Sequence, residues 1–292
     1  MNAGSDDLLC VAVAGEALVV ASAAGELRRS TDQGKTWARV GKVTSRPLAI
    51  RAGPDWVRVA SDWGVAVSTD AGLLFSERAQ PLPPIHSSSM GTCVSAAIDS
   101  RGRVLRAVVA ENSRADHYES ALFLSDDAGT TRRLAGEGLN FLPTSREPVF
   151  PFVCVTARED EVLLAGDQWT APKTELVRLR GEAFSAVPSV GLQLARAWPG
   201  PAGSVIAADS RGGVHTLSGG KWTRTLDGED EVLAFACDGK RSCIAGRGGL
   251  LMESVGAKWK PVQSTVEVDL FSVAFDGDAI VAVGEGGIFL RR

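Results

Sequence analysis

The residues best suited to chemistry crowd a short segment in the first half of the chain. Within five positions this segment holds a cation, an acid, an imidazole and the only tyrosine of the chain, which are Arg114, Asp116, His117 and Tyr118. Such a mixture can form ion pairs, exchange a proton and stack on a flat apolar group, as a surface that binds a partner or ligand must. The alternative is that these are solvated loop residues that pack on one another, with Tyr118 as a local plug.

Three further segments carry residues of the same kinds. Residues 81–84 read Pro-Leu-Pro-Pro and stiffen the approach to His86, so two of the three histidines belong to this group. The full set of candidate ligand- or partner-binding residues is His86, Arg114, Asp116, His117, Tyr118, Phe141, Arg146, Asp167, Trp169 and Lys173. The sequence predicts no catalytic residue and no cofactor. It also predicts no metal ligand, because no spacing of Cys and His suggests a zinc site.

A recurring turn indicates the elements that must position these residues. Residues 30–37 read S-T-D-Q-G-K-T-W, and residues 68–75 and 125–132 repeat the Ser, Asp and Gly. An Asp at the start of a tight turn accepts hydrogen bonds from the N–H groups that follow it, and Gly adopts a backbone conformation that other residues avoid. Thr and Trp then suit the beginning of a strand. The pattern predicts a hairpin turn in which the three aspartates are structural rather than catalytic.

The pattern S-x-D-x-G-x-T-W resembles the Asp-box (BNR) repeat of sialidases, sortilin-type receptors and photosystem II assembly-factor-like propellers. This resemblance implies a β-propeller in which each box joins the third and fourth strands of a blade. It leaves the activity open, because the same turn occurs on proteins with unrelated functions.

The ends of the predicted third strands recur at a spacing typical of propeller blades. They fall at residues 30, 68, 125, 180, 218, 254 and 292, which gives intervals of 38, 57, 55, 38, 36 and 38 residues. Units of about 40 residues with four short apolar runs are characteristic of this architecture. We therefore predict an all-β, seven-bladed β-propeller as a single domain over residues 1–292. The blades are expected at 8–40, 46–79, 91–135, 150–188, 192–226, 231–262 and 268–292.

Each blade is expected to follow the plan of the first. Its four strands are predicted at residues 9–14, 18–22, 26–30 and 36–40. One aromatic residue follows the turn in most blades, and we expect this residue to pack in the core between blades rather than to bind a ligand. The residues in this position are Trp37, Phe75, Phe184, Trp222 and Trp259.

The two long intervals indicate where a functional surface would be. In blade 3 the extra residues fall at 79–91 and 111–119, and in blade 4 at 135–150 and 167–173. Each pair lies before the first strand and between the second and third strands, connections that emerge on the same face of an antiparallel blade. Because loops presented by a rigid scaffold commonly carry function, we expect a loop-rich binding face over blades 3 and 4.

The predicted last blade reaches only the end of its third strand at Arg292. Residues 1–7 are poor strand formers, so we do not expect them to supply the missing strand. Either this blade has three strands or another segment covers its edge, and an open edge is a template to which a strand of a partner protein could add.

Composition excludes several classes of protein. The net charge of −4 is too small and dispersed to favour nucleic acid, and no apolar run is long enough to span a membrane. Residues 1–7 lack the basic and apolar regions of a signal peptide, which favours the cytoplasm, with export as the alternative if a signal peptide has been removed. The five cysteines are expected to be buried thiols, although a disulfide between Cys237 and Cys243 is the alternative across a predicted hairpin.

The preferred function is a non-catalytic, protein-binding or assembly propeller. Over most of its length the chain resembles the photosystem II assembly/stability-factor-like group, in which segments such as residues 282–289 (A-V-G-E-G-G-I-F) recur. In that family a propeller surface scaffolds another protein, so the resemblance implies a protein partner.

The alternative is a glycan-binding or sialidase-like propeller. A lectin could use Tyr118 and Trp169 to stack on sugars. A sialidase uses a Tyr nucleophile assisted by Glu together with arginines that hold the substrate carboxylate, and Tyr118-Glu119 is the only candidate here. The Arg-Ile-Pro sequence that precedes the first boxes of sialidases is absent, and Ser45-Arg46-Pro47 replaces it.

Overall fold

The computed structural model describes residues 6–80, 82, 92–112, 117–126, 131–136, 149–168, 174–181, 183–255, 258–264 and 266–292. These residues form β-strands joined by turns, with single 3₁₀ turns at Pro201–Gly203, Arg247–Gly249 and Glu285–Gly287. No α-helix occurs among them. The predicted all-β class is confirmed.

Twenty-seven strands follow one another along the described chain. In chain order they are β1 (Leu8–Ala14), β2 (Ala17–Ser22), β3 (Glu26–Ser30), β4 (Ala38–Lys42), β5 (Pro47–Ala52), β6 (Val57–Ser61), β7 (Gly64–Ser68), β8 (Ser76–Ala79), β9 (Thr92–Ile98), β10 (Val104–Asn112), β11 (His117–Ser125), β12 (Thr131–Gly136), β13 (Val149–Arg158), β14 (Glu161–Gln168), β15 (Thr174–Arg180), β16 (Ala183–Val187), β17 (Leu194–Pro199), β18 (Val205–Asp209), β19 (Val214–Ser218), β20 (Lys221–Leu226), β21 (Val232–Cys237), β22 (Arg241–Gly246), β23 (Leu251–Val255), β24 (Lys258–Pro261), β25 (Leu270–Asp276), β26 (Ala279–Gly284) and β27 (Phe289–Arg291).

The strands form seven sheets, each made of consecutive strands. Sheets 1 to 6 have four strands in the order of the chain, and sheet 7 contains only β25, β26 and β27. The fold is the predicted seven-bladed β-propeller, and its last blade has three strands. Whether a partner strand adds to that blade stays a prediction.

The described chain divides into two compact units. The first unit contains sheets 1, 2, 6 and 7. The second contains sheets 3 and 4 and most of sheet 5, whose strands β19 and β20 are divided between the units.

Apolar side chains between neighbouring sheets form the core. Within the first unit, Cys10 and Leu27 of sheet 1 pack with Val57 and Ala66 of sheet 2. Within the second, one cluster joins sheets 3 and 4 and another joins sheets 4 and 5. The second strand of each sheet lies in the middle of this packing, and all six residues of β2 are buried. Such a strand reads as a continuous apolar run because both of its faces are covered.

The predicted aromatic position packs between sheets, as expected. Phe75 contacts the cluster of sheets 1 and 2, Phe184 that of sheets 3 and 4, and Trp222 that of sheets 4 and 5. The ring of Trp37 meets the ring of Phe289 in sheet 7 edge to face, with centroids 5.2 Å apart. These side chains therefore stabilise the contacts between blades.

The turns at Asp32 and Asp70 have the predicted hydrogen bonds. Asp32 Oδ1 accepts hydrogen bonds from the Ser30 hydroxyl at 2.7 Å and the Thr36 N–H at 2.9 Å, and Oδ2 accepts one from the Thr36 hydroxyl. Asp70 Oδ1 likewise accepts one from the Ser68 hydroxyl at 2.6 Å. The fourth strand of blade 1 begins at Ala38 rather than Thr36, because Thr36 is still bonded to the turn. The predicted start of that strand was wrong by two residues.

Each turn places two successive residues in the left-handed region. In the first turn Gln33 has φ 63° and Gly34 φ 86°. A Cβ at Gly34 would clash with the ring of Phe289, so the glycine is also required for contact with sheet 7. The left-handed conformation of Gln33 costs about 1–2 kcal/mol, which the carboxylate hydrogen bonds offset.

Sheets 7 and 1 are joined by polar contacts between the two ends of the chain. The Gly286 N–H donates to Asp7 Oδ1 at 2.9 Å, and the Val11 N–H donates to the Ser272 hydroxyl oxygen at 3.2 Å. Sheets 6 and 7 repeat the first contact, because the Gly248 N–H donates to Asp269 Oδ1 at 3.1 Å. An aspartate that opens one blade thus accepts a hydrogen bond from the glycine turn of the preceding blade.

All five cysteines are free thiols. In the hairpin of β21 and β22, Cys237 lies opposite Ser242 and Cys243 lies opposite Ala236. Neighbouring pairs of a ladder direct their side chains to opposite faces, so Cys237 and Cys243 cannot form a disulfide. Burial raises the pKa of the Cys10 thiol to about 12, which keeps it protonated.

The contact between Asp7 and Gly286 predicts a stability difference. We expect Asp7→Ala to lower the free energy of unfolding by about 1 kcal/mol, the usual contribution of one hydrogen bond. Asp269→Ala should have a similar effect, because it removes the equivalent bond. Urea denaturation followed by circular dichroism measures both. Asp6→Ala is the control for loss of a neighbouring charge, and equal stability of the Asp6 and Asp7 variants would contradict the prediction.

The turn at Asp32 predicts a pH dependence. Hydrogen bonds from the Thr36 hydroxyl, the Thr36 N–H and the Ser30 hydroxyl lower the pKa of Asp32 from 3.8 to about 2. A lowered pKa in the folded state stabilises the protein above the ordinary pKa, and this stabilisation is lost as the pH falls from about 4 towards 2. Asp32→Asn should therefore flatten the decrease of the urea midpoint between pH 4 and pH 2.

The control for this experiment is Asp6→Asn, which removes one carboxylate from an exposed position. We expect it to keep more of the wild-type slope than Asp32→Asn does. Wild-type and Asp32→Asn slopes that coincide across this pH range would show that the turn does not depend on the ionised carboxylate.

Candidate functional site

The structure places three of the ten candidate site residues. His117 and Tyr118 lie in β11, and Asp167 lies in β14. The other seven fall outside the described residues, and they are His86, Arg114, Asp116, Phe141, Arg146, Trp169 and Lys173. The proposed grouping of all ten therefore stays a prediction.

The sequence predicted a loop at residues 111–119, but most of this segment belongs to two paired strands. β10 continues through Asn112 and β11 begins at His117, with Glu111 opposite Tyr118 and Asn112 opposite His117. The ladder continues because each added pair satisfies backbone groups that a loop would leave to water. Two consecutive strands of nine residues thus replace most of the expected connection.

The hairpin of β10 and β11 ends in three residue pairs, from Ala110–Glu119 to Asn112–His117. The described pairing of β10 with β9 reaches Val109 and Thr92, and that of β11 with β12 reaches Ala121 and Gly136, while residues 83–91 and 137–148 lie outside the described residues. Residues 110–112 and 117–119 are here called the ribbon.

Sheet 4 also has long strands. β13 is ten residues long and β14 eight, and Asp167, expected in a loop, pairs with Thr174 in the ladder. The Ser95 hydroxyl oxygen accepts a hydrogen bond from the Val155 N–H at 3.1 Å, which fixes the level of β13 against β9.

We call these strand ends the rim, which consists of the ribbon together with residues 149–151 and 166–168 of sheet 4. Two exposed apolar side chains lie at the same end of the second unit. Val94 near the start of β9 is 42% exposed, and Leu192 between β16 and β17 is 39% exposed. These two residues expose apolar surface at this end of the second unit.

Other groups capable of chemistry are committed to structural contacts. His215 Nε2 lies 2.9 Å from Asp209 Oδ2, and both side chains are buried. Arg106 is wholly buried, and its Nη1 donates to Gln80 Oε1 at 2.9 Å. Neither contact was evident from the sequence, because no local pattern marks the residues that form it.

An ion pair in sheet 4 also forms a structural contact. Arg180 Nη2 donates to Glu161 Oε2 at 2.7 Å. Arg178 Nε lies 2.8 Å from Glu161 Oε1 as a charge contact without hydrogen-bond geometry, and Arg178 also donates to the Gly203 carbonyl oxygen. The carboxylate thus holds two strand residues, one of which reaches the next sheet.

The described part of the chain contains no group of three or more His, Cys, Asp or Glu residues that could hold a metal ion. Nor does that part contain a helix with the length and apolar character needed to span a bilayer.

Comparison with known proteins identifies the fold. No protein-family model and no curated protein matches the chain. Among solved structures, YCF48 bound to a D1 peptide is 14% identical with a TM-score of 0.70, over 100% of this chain and 95% of that chain. YCF48 from Cyanidioschyzon merolae is 15% identical with a TM-score of 0.66, over 99% and 95% of the two chains. The computationally designed Ika8 protein is 10% identical with a TM-score of 0.65, over 99% and 96%. At these identities the likeness shows the shared propeller fold.

Proposed function

We propose that this chain is a non-catalytic propeller that binds a segment of another protein, as an assembly or stability factor does. The observation that carries the proposal is the likeness over its whole length to YCF48, a structure of which contains a D1 peptide. The turns at Asp32 and Asp70 have the hydrogen bonds expected of an Asp-box. This supports the resemblance of the chain to the group of propellers that carry this turn.

The rim is proposed as the binding surface. The ten candidate residues lie in or beside the segments that lengthen blades 3 and 4, and the exposed Val94 and Leu192 are at the same end. Extra length on two adjacent blades is not needed to close the fold, since the remaining blades do without it. A partner therefore explains the extra residues better than stability does.

A non-catalytic role is supported by the state of the described acids and bases. The carboxylates of Asp32, Asp70 and Glu161 are occupied by hydrogen bonds or ion pairs within the fold. His215 is buried against Asp209. Neither the described residues nor the compared structures favour the glycan-binding or sialidase-like alternative.

Shortening the ribbon tests the proposal. Val109 and Ser120 are paired, so residues 110–119 can be replaced by Asn-Gly, which forms a tight two-residue hairpin turn. We expect this shortened variant to fold, because it keeps every described pair of β10 with β9. Capture of partner proteins from a lysate of the source cells, quantified by mass spectrometry, should decrease at least tenfold for the specific partner.

The matched control is the double variant Leu73→Ala and Leu74→Ala. These side chains are 53% and 73% exposed in the turn between the third and fourth strands, at the other end of a blade. The control should retain the partner and lose only non-specific apolar binding. Equal capture by the wild type and the shortened variant would overturn the proposed surface. Turnover of a fluorogenic sialoside that is lost on shortening would overturn the non-catalytic role.

A further inference from the structure

We propose that the chain forms a symmetric dimer through a patch centred on Leu73 and Leu74, here called the leucine patch. These residues occupy the turn between β7 and β8, and their side chains are 53% and 73% exposed. The inference goes beyond the proposed function and concerns residues other than those of the rim. The occupant of the leucine patch is a second copy of the same chain.

The fold does not require leucine at these positions. The equivalent residues in the turn of sheet 1 are Lys35 and Thr36, and the Thr36 hydroxyl donates a hydrogen bond to Asp32 Oδ2 at 2.6 Å. Leu74 has no hydroxyl, so it cannot give the turn at Asp70 the same bond. An exposed leucine also adds no burial that would compensate for this loss. Two adjacent apolar side chains on a tight turn therefore indicate a contact with another molecule.

The turn holds both leucines in a fixed conformation. Asp70 Oδ1 accepts hydrogen bonds from the N–H of Leu73 at 3.0 Å and from the N–H of Leu74 at 3.1 Å. The Gly72 N–H donates to the buried Ser68 hydroxyl oxygen at 2.8 Å. A turn that is already ordered loses little conformational freedom on association, so more of the apolar contact appears as affinity.

Acidic residues lie beside the leucine turn. Asp55 and Glu16 are exposed in the turns that join the first two strands of sheets 2 and 1. These two turns are adjacent, since a Cβ added to Gly15 would lie 3.2 Å from the Pro54 carbonyl oxygen. The Ala71 N–H donates to the Asp55 carbonyl oxygen at 2.9 Å, which joins the acidic turns to the leucine turn.

Basic residues lie beside the leucine turn as well. Arg29 Nε donates to the Ala71 carbonyl oxygen at 3.0 Å, and Lys35 is exposed in the turn that follows the strand of Arg29. The leucine patch thus carries acids and cations in separate turns beside an apolar centre. Such a surface is complementary to a copy of itself, because a two-fold axis through the leucines brings the cations of each copy towards the acids of the other. This charge pattern favours a second copy over a partner of a single strong charge.

Sedimentation equilibrium of the full chain over a range of concentrations tests the dimer. We expect the wild type to dimerise as its concentration rises. The double variant Leu73→Ala and Leu74→Ala should raise the dissociation constant of the dimer at least tenfold, because it removes the apolar centre. Val255→Ala is the control, since it shortens an apolar side chain of sheet 6 that is 72% exposed, and it should leave the constant unchanged. Circular dichroism and urea midpoints confirm that the variants are folded.

Exchange of charges tests the two-fold symmetry. Lys35→Glu alone and Asp55→Lys alone should each raise the dissociation constant at least tenfold at low salt, because each symmetric dimer then contains two contacts between like charges. An equimolar mixture of these two variants should dimerise within threefold of the wild-type affinity. In the mixed dimer one contact is native and the other has its two charges exchanged. The difference between the mixture and the single variants should shrink as salt is added.

Three results would overturn the dimer. They are a wild type that stays monomeric at every concentration, a leucine variant that dimerises like the wild type, and a mixture that dimerises no better than its components. The variant with the shortened ribbon should dimerise like the wild type, because the leucine patch is intact in it. Failure of the leucine patch and failure of the proposed partner surface are therefore distinguishable.

Discussion

The whole structure depends on the mutual covering of apolar sheet faces. Each central strand is buried on both sides, as in β2 and β18, so neither the strand nor its sheet is stable without a neighbour. Glycines at the tight turns permit the close approach, and Gly34 against Phe289 shows that even a single Cβ would prevent it. This requirement explains why the chain repeats one short unit, and it leaves the exposed ends of the sheets free to vary.

Periodicity made the architecture predictable, whereas local chemistry made only part of each turn predictable. The spacing of Ser30, Ser68 and their equivalents indicated seven blades, and it left open whether the last blade has three strands or is completed by another segment. The left-handed conformation of Gln33 and the late start of β4 were not visible, because both follow from the hydrogen bonds that Asp32 makes with Thr36. Contacts between distant residues, such as Asp7 with Gly286 and Arg106 with Gln80, have no local signature at all.

The position of the candidate site was predictable from the sequence, but its secondary structure was not. Extra length in blades 3 and 4 indicated where the chain departs from its repeat. The assumption that extra residues form loops was wrong for His117, Tyr118 and Asp167, since the existing hairpins simply continue. Val104, Val108 and Val109 favour a strand, but residues 110–112 (Ala-Glu-Asn) are poor strand formers, so the continuation of the ladder had no local signal. A surface built on paired strands loses less conformational freedom on binding than a surface built on loops.

The contact between sheets 7 and 1 has a consequence for synthesis of the protein. Leu8, Val11 and Leu18 in the first sheet are covered by Val281, Val283 and Phe289, which the ribosome delivers more than 260 residues later. Until sheet 7 is made, this side of sheet 1 has no native cover. Exposed apolar surface of this kind promotes aggregation during folding, so the completion of sheet 7 protects sheet 1 as well as stabilising it.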